Sequence, residues 1–243
     1  MRTGSRFILI CLFLFVFLLQ NSCRKEDNQS KLTVADIDGN IYNTITIGTK
    51  IWMAENLETT RYADGTPIPF VNTNASWDAL DANSKAYCWY NDNINNKDTY
   101  GALYTWAAAM KGEVSSSTNP SGVQGVCPTA WHLPSNAEWA ELETYLGGNS
   151  IAGFKLKETG KAHWNSSTSG VTNESGFTAL PGGYRYYDGD FKYLHVYGFW
   201  WSSSENTADL AWYMNLEDQT GVVYRYSTGK KIGFSVRCLS DSL

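Results

Sequence analysis

The sequence predicts a single α+β domain behind a short export segment. Three observations predict it: a strand-like hairpin near the start, two helical stretches in the middle, and a succession of short β-branched and aromatic runs beyond Ile151.

The export segment comes first. Arg2 and Arg6 precede an almost unbroken apolar run from Phe7 to Leu19, about the length of a signal h-region and too short to span a bilayer comfortably. The run ends in LLQNSC, where the small Ser22 precedes Cys23. This resembles a bacterial lipoprotein cleavage site, relaxed by Gln20 and Asn21. Residues 1–22 are read as a signal peptide, Cys23 as the lipidated first residue and 23–31 as a tether, with an ordinary secretory signal as the alternative. The RKEDN after Cys23 resembles the surface-export signal of Bacteroidetes lipoproteins, so the expected location is the outer membrane, lipid-anchored and facing outward. Removing 22 of 243 residues leaves 221, which suits one domain, here residues 32–240.

Within that domain, TVADIDGNIYNTITIG reads as a hairpin, because Asp38-Gly39 is a favoured tight-turn pair among Ile41, Tyr42, Ile45 and Ile47. KIWMAEN supplies the next strand. From Thr59 to Asn96 no period is sustained, which predicts loops with one helical turn near Trp77. In TYGALYTWAAAMKG, Leu103, Trp106, Ala107 and Met110 fall on one helical face, and Gly112 is a suitable terminator. A polar loop, EVSSSTNPSG, follows.

The second helix has the stronger signature. Pro134 ends an extended stretch, Ser135 can cap, and Glu138 three residues later completes a Ser-x-x-Glu capping box. Trp139, Leu142 and Leu146 then share one face, and Gly147-Gly148 can close the helix with a left-handed cap. Beyond Ile151, GFKLKE, GFTALPGGYRYY, DFKYLHV, GFWWSSSE, LAWYMNLE, GVVYRYS and IGFSVRCL are each expected to be strands, separated by turn residues such as Asp188-Gly189.

Composition narrows the function. A net charge of −5 with scattered lysines and arginines gives no footprint for nucleic acid, and nucleic-acid binding is disfavoured. Aromatics at 14% with charged residues at only 18% suit an extracellular fold that uses aromatic bulk in its core and on a recognition surface. Outside the signal and the lipidated Cys23, three cysteines remain, Cys88, Cys127 and Cys238. The arithmetic is one disulfide plus one free thiol.

Six ordered motifs, YNTITIGTKIWMAENL, YGALYTW, GVCPTAWHLPSNAEWAELE, GFTALPGGYR, FWWSSSE and GFSVRCL, resemble the Fibrobacter succinogenes major paralogous (FISUMP) domain across nearly all of residues 32–240. The resemblance implies a C-type-lectin-like fold, two helices flanking a twisted antiparallel sheet with long loops, related to that of the formylglycine-generating enzymes. It supplies no activity. On such a fold Cys127 is expected to pair with Cys238, leaving Cys88 unpaired, with Cys88 in place of either partner as the alternative. Trp131 and Trp139 are expected in the core.

Catalytic patterns are not found. Formylglycine-generating enzymes use a close C-terminal cysteine pair, and only Cys238 stands here, so that chemistry does not carry over. His132, His163 and His195 lack metal-ligand spacing and are expected on the surface or in loops, although two of them can still converge in space. No Gly-x-Ser-x-Gly elbow occurs, and Ser202-Ser203-Ser204 lacks a nearby triad pattern. The calcium tripeptides of sugar-binding C-type lectins do not occur either. Asn91-Asp92-Asn93 and Asp188-Gly189-Asp190 offer oxygens that turn chemistry already explains. No metal or cofactor is expected.

The best candidate surface is GGYRYYDGDFKYLHVYGFWW, with seven Tyr or Phe and two Trp in twenty residues. Strand alternation turns about half of these rings away from the core. Tyr184, Tyr186, Tyr187, Asp188, Asp190 and Tyr193 are the expected ligand-binding residues, with Trp212 and Tyr224 as neighbours. The expected function is a non-catalytic surface module that recognises a polysaccharide or a protein. The alternatives are a carbohydrate-active enzyme with a hidden carboxylate pair and a purely structural envelope protein.

Overall fold

The N-terminal hairpin is organised by one carboxylate. Asp36 Oδ1 accepts the backbone N–H of Asp38 and of Asn40, and its Oδ2 accepts the Tyr42 hydroxyl at 2.6 Å. These bonds hold the five-residue connection between β1 (Thr33–Ala35) and β2 (Ile41–Ile47), with Gly39 at φ 86° supplying the left-handed turn residue. The structure, a computed structural model, describes residues 32–166 and 168–242. The expected signal peptide and the lipidation site at Cys23 lie outside the described residues.

In chain order there follow β3 (Lys50–Met53), α1 (Asn74–Asp78), β4 (Tyr87–Trp89), α2 (Lys97–Tyr100), β5 (Ala102–Tyr104), α3 (Trp106–Ala109), β6 (Trp131–His132), α4 (Asn136–Tyr145) and α5 (Ala152–Leu156). The C-terminal half holds β7 (Gly182–Arg185), β8 (Phe191–Leu194), β9 (Tyr197–Glu205), β10 (Leu210–Glu217), β11 (Val223–Gly229) and β12 (Leu239–Ser240). The described residues form one compact unit. All named strand pairs are antiparallel, and the class is α+β.

The chain closes on itself. The five-stranded sheet runs β1-β2-β3-β12-β6, so the last strand is inserted between β3 and β6, with Leu239 opposite both Trp52 and His132. Next to it Cys238 is bonded to Cys127 across 111 residues, the expected pairing, and Cys88 is free and buried. A cross-link over so long a loop removes unfolded-state freedom equivalent to about 5 kcal/mol by loop-closure entropy. Among the described residues no helix is long and apolar enough to cross a membrane.

Three expectations are corrected. Leu103 lies on β5, paired with Cys88 of β4, and the helix begins only at Trp106, where Thr105 Oγ1 accepts the Ala108 N–H. Ala102, Leu103 and Tyr104 are all buried, and a run buried on every side carries no period by which to tell strand from helix. GFKLKE is not a strand: Ala152–Leu156 is a short helix. Its Gly153 lies against the Gly221 carbonyl, which a Cβ would approach to 2.6 Å. IGFSVRCL threads between sheets instead of joining one. Gly233, Phe234 and Ser235 make single bridges to Arg185, Tyr104 and Trp200, and regular pairing starts only at Leu239. Of the two expected helices, only α4 exceeds two turns, and its capping box between Ser135 and Glu138 is formed.

The three-stranded sheet β11-β10-β9 divides the core by strand alternation. One face sends Trp200, Met214, Leu216 and Val223 against Trp139 and Leu142 of α4, with Trp52 and Phe177 behind. Trp52 and Trp139 lie 4.8 Å apart, and Trp139 is 1% exposed. The other face sends Phe199, Trp201 and Ala211 toward Phe234 and Trp131. Toward β11 that second face opens to solvent.

Candidate functional site

On the open side the tyrosines form one continuous array. Tyr186 and Tyr187 have ring centroids 3.9 Å apart, Tyr184 lies 6.0 Å from Tyr186 and 5.8 Å from Tyr193, and Tyr193 lies 5.1 Å from Tyr197. Phe199 and Phe234, stacked at 4.9 Å, carry the array across the sheet to Tyr213, which is followed by Tyr226 and Tyr224. Tyr187, Tyr193 and Tyr226 are the exposed members, at 49%, 52% and 54%. The inner ones are half-buried, and burial with neighbouring charges pushes the Tyr184 phenol up to about 12. Its hydroxyl therefore stays protonated, able to donate and to accept.

Backbone geometry fixes the outermost ring. β7 and β8 pair at Gly182↔Leu194 and Tyr184↔Lys192, and between these pairs Gly183 and Tyr193 both adopt positive φ, 61° and 63°. A tyrosine in that region is strained by roughly 1–3 kcal/mol and persists only where the surroundings impose it. Here a Cβ on Gly183 would meet the Lys192 carbonyl at 2.5 Å, so only glycine fits opposite. The 186–190 turn is equally fixed: Asp188 Oδ1 accepts the Asp190 N–H, Asn74 Nδ2 donates to Asp190 Oδ1 at 3.0 Å, and Lys192 lies over the Tyr186 ring at 4.4 Å.

Of the residues expected from sequence, Tyr184, Tyr186, Tyr187, Asp188, Asp190, Tyr193 and Tyr224 are brought to this side. Trp212 is not. It alternates with Tyr213 on β10 and projects from the opposite face, into a recess lined by Asn136, Glu143 and Arg225 that Tyr224 and Tyr226 of the edge strand β11 also border. Tyr197, Tyr213 and Tyr226 belong to the array and were not anticipated. The two-residue spacing from Tyr224 to Tyr226 within VVYRYS was the signal that would have found the last of them.

The other polar clusters are internal. His132, expected on the surface or in a loop, is buried in β6 with Nε2 2.9 Å from Glu138 Oε1 and Nδ1 2.5 Å from Asp241 Oδ1. Burial acts to lower its pKa, but the hydrogen bonds and charges of Glu138 and Asp241 outweigh it, and the pKa is raised above 6.5. Glu138 Oε2 also accepts the N–H groups of Ser121 and Ser135, so this carboxylate is fully engaged. His163 and His195 do converge, at 5.8 Å and 6.1 Å from the Tyr100 ring, and His163 bonds Glu158.

Asp92 pairs with the buried Arg185 at 2.8 Å, which accounts for the acid in Asn91-Asp92-Asn93. Burial pushes the Cys88 thiol up to about 12 although Arg185 is near, so it is a poor nucleophile. Ser202 and Ser204 donate to carbonyls of Trp212 and Ser116, a structural use of their hydroxyls. Among the described residues no three His, Cys, Asp or Glu side chains gather as a metal site. Glu113 and Glu205 line one recess, but Glu113 accepts the Gly125 N–H and Glu205 is paired with Lys230 at 2.6 Å.

The site thus sits on an α+β domain stapled by one long-range disulfide, with an ordered aromatic face on its open side. Residues 45–240 match the model of the Fibrobacter succinogenes major domain, and the chain belongs to that family. No curated protein and no solved structure matches it.

Proposed function

We propose that the protein is a non-catalytic binding module, carried on the outer membrane by a lipid anchor at Cys23, that captures a polysaccharide through its tyrosine array. The observation that carries this reading is the exposed set Tyr187, Tyr193 and Tyr226 on one continuous aromatic surface. Flat rings offer apolar area to the C–H faces of sugar rings, and their hydroxyls, with Asp188 and Lys192 nearby, offer hydrogen bonds to sugar hydroxyls. Rings already ordered by packing lose little freedom when a ligand binds. A C-type-lectin-like topology is part of the proposal, supported by the terminal strand paired beside the N-terminal sheet and by long loops on an antiparallel framework.

The test is binding of residues 31–243 to a broad glycan array, with calcium and again with EDTA. The expected outcome is binding to a subset of glycans that EDTA leaves intact. Binding abolished by EDTA contradicts a metal-free aromatic face, and no binding in either condition contradicts the polysaccharide reading.

A further inference from the structure

Away from the tyrosine array, a recess of 340 Å³ opens beside β2 and the 176–180 loop, lined among others by Thr44, Glu55, Asn56, Thr99, Thr178 and Arg237. That volume is at the small end of the range for ligand pockets, about 300–1,000 Å³. Two opposite charges line it, and the protein satisfies neither completely.

Glu55 Oε1 accepts Asn43 Nδ2 at 2.6 Å, while its Oε2 is shielded from solvent and has no partner. Of the three such side-chain atoms among the described residues, it is the only carboxyl oxygen. Arg237 is 1% exposed, and its partners are all neutral: Asn56 Oδ1 takes Nε at 3.2 Å and Nη2 at 3.1 Å, and the Phe177 and Thr178 carbonyls take Nη1 and Nη2. Burial lowers its pKa to about 9. A guanidinium has five N–H groups, and these bonds use four, leaving one on Nη1. Phe177 stacks on the group at 4.0 Å, which fixes its plane.

We infer that this recess is a second binding site, for a single small neutral polyol such as one sugar residue. A charged ligand meets one like charge wherever it lies, because Glu55 and Arg237 line the same space. A hydroxyl is both donor and acceptor, so a polyol gives a hydrogen to the unpartnered carboxyl oxygen and accepts the remaining guanidinium hydrogen. The terminal torsion of a glutamate is soft, so Oε2 turns toward a ligand at the cost of bending the Asn43 bond to Oε1. A carboxylate ligand gains little from Arg237, whose bidentate edge is already taken by Asn56. The inference does not rest on the tyrosine array.

The experiment is calorimetric titration of the full-length protein with separate neutral monosaccharides and a cyclic polyol, and with free amino acids as the zwitterionic arm. Saturable binding of at least one neutral member is expected, weakened at least about tenfold in Glu55→Gln, which keeps the Asn43 bond but turns the free acceptor into a donor. Glu55→Gln is expected to melt no lower than wild type. Thr99→Trp, which fills the recess and leaves Glu55 itself unchanged, is expected to lose binding, while Tyr193→Ala retains it. No saturable binding by wild type, unchanged affinity in Glu55→Gln or Thr99→Trp, or preference for the amino acids would each overturn the inference.

Discussion

The two faces of the β9–β11 sheet are built from alternate residues of the same strands and meet opposite fates. On one, Trp200, Met214, Leu216 and Val223 are buried against α4. On the other, Tyr213, Tyr224 and Tyr226 leave the protein beyond Phe199 and Trp201 without a covering layer. Both faces are aromatic, so composition does not distinguish them. The distinction is the polar tip. The buried tryptophans of β9 use their single N–H internally, Trp200 to Asn56 Oδ1 and Trp201 to the Tyr104 carbonyl, both at 2.8 Å. The outer tyrosines end in hydroxyls that water or a ligand can satisfy.

The largest effect should come from breaking the covered face. Trp200→Ala removes a fully buried ring and is expected to cost about 3–5 kcal/mol of stability, read as a lowered denaturant midpoint. The same truncation on the open face, Tyr226→Ala, is expected to change stability by no more than about 0.5 kcal/mol. Equal losses at the two positions would erase the distinction.

A smaller effect sharpens it by pH. On the α4 side, His132 is held between Glu138 and Asp241 with a pKa raised above its ordinary 6.5. Its stabilisation is therefore fully present below pH 6.5 and fades as pH rises through the raised value. Lys157, whose pKa burial lowers to about 8, acts in the opposite sense: its contribution favours folding increasingly as pH rises above that value. Melting of wild type and His132→Asn across pH 5.5–9 separates the two. The wild-type advantage should shrink with rising pH, and a constant gap would contradict the assignment.

Much of this was legible in the sequence where one residue has one job. The Asp38-Gly39 hairpin, the Ser135–Glu138 box and the strands from Phe191 to Ser227 followed from local chemistry and period. Legibility failed where burial is two-sided or where tertiary contact decides. Leu103 looked helical because the neighbouring residues are apolar on every side, and Ala152–Leu156 looked like a strand although the Gly153–Gly221 approach holds it as a helix turn. Within the candidate site, the cluster from Tyr184 to Tyr193 was visible as density of rings. The division of Trp212 from Tyr213 was not, because it depends on which face of β10 the rest of the fold covers. The partnerless Glu55 oxygen had no sequence signal at all, since an unmade hydrogen bond is a property of three-dimensional surroundings.

The central claim is that the open face binds and the covered face folds. The most direct measurement titrates the array's best-bound polysaccharide against wild type and the triple variant Tyr187→Ala, Tyr193→Ala, Tyr226→Ala, with a melting curve for each. The account predicts at least about a tenfold loss of affinity, since central aromatic truncations cost more than about 1 kcal/mol each, with the melting temperature unchanged within a few degrees. Undiminished affinity in a triple variant that melts like wild type would contradict it.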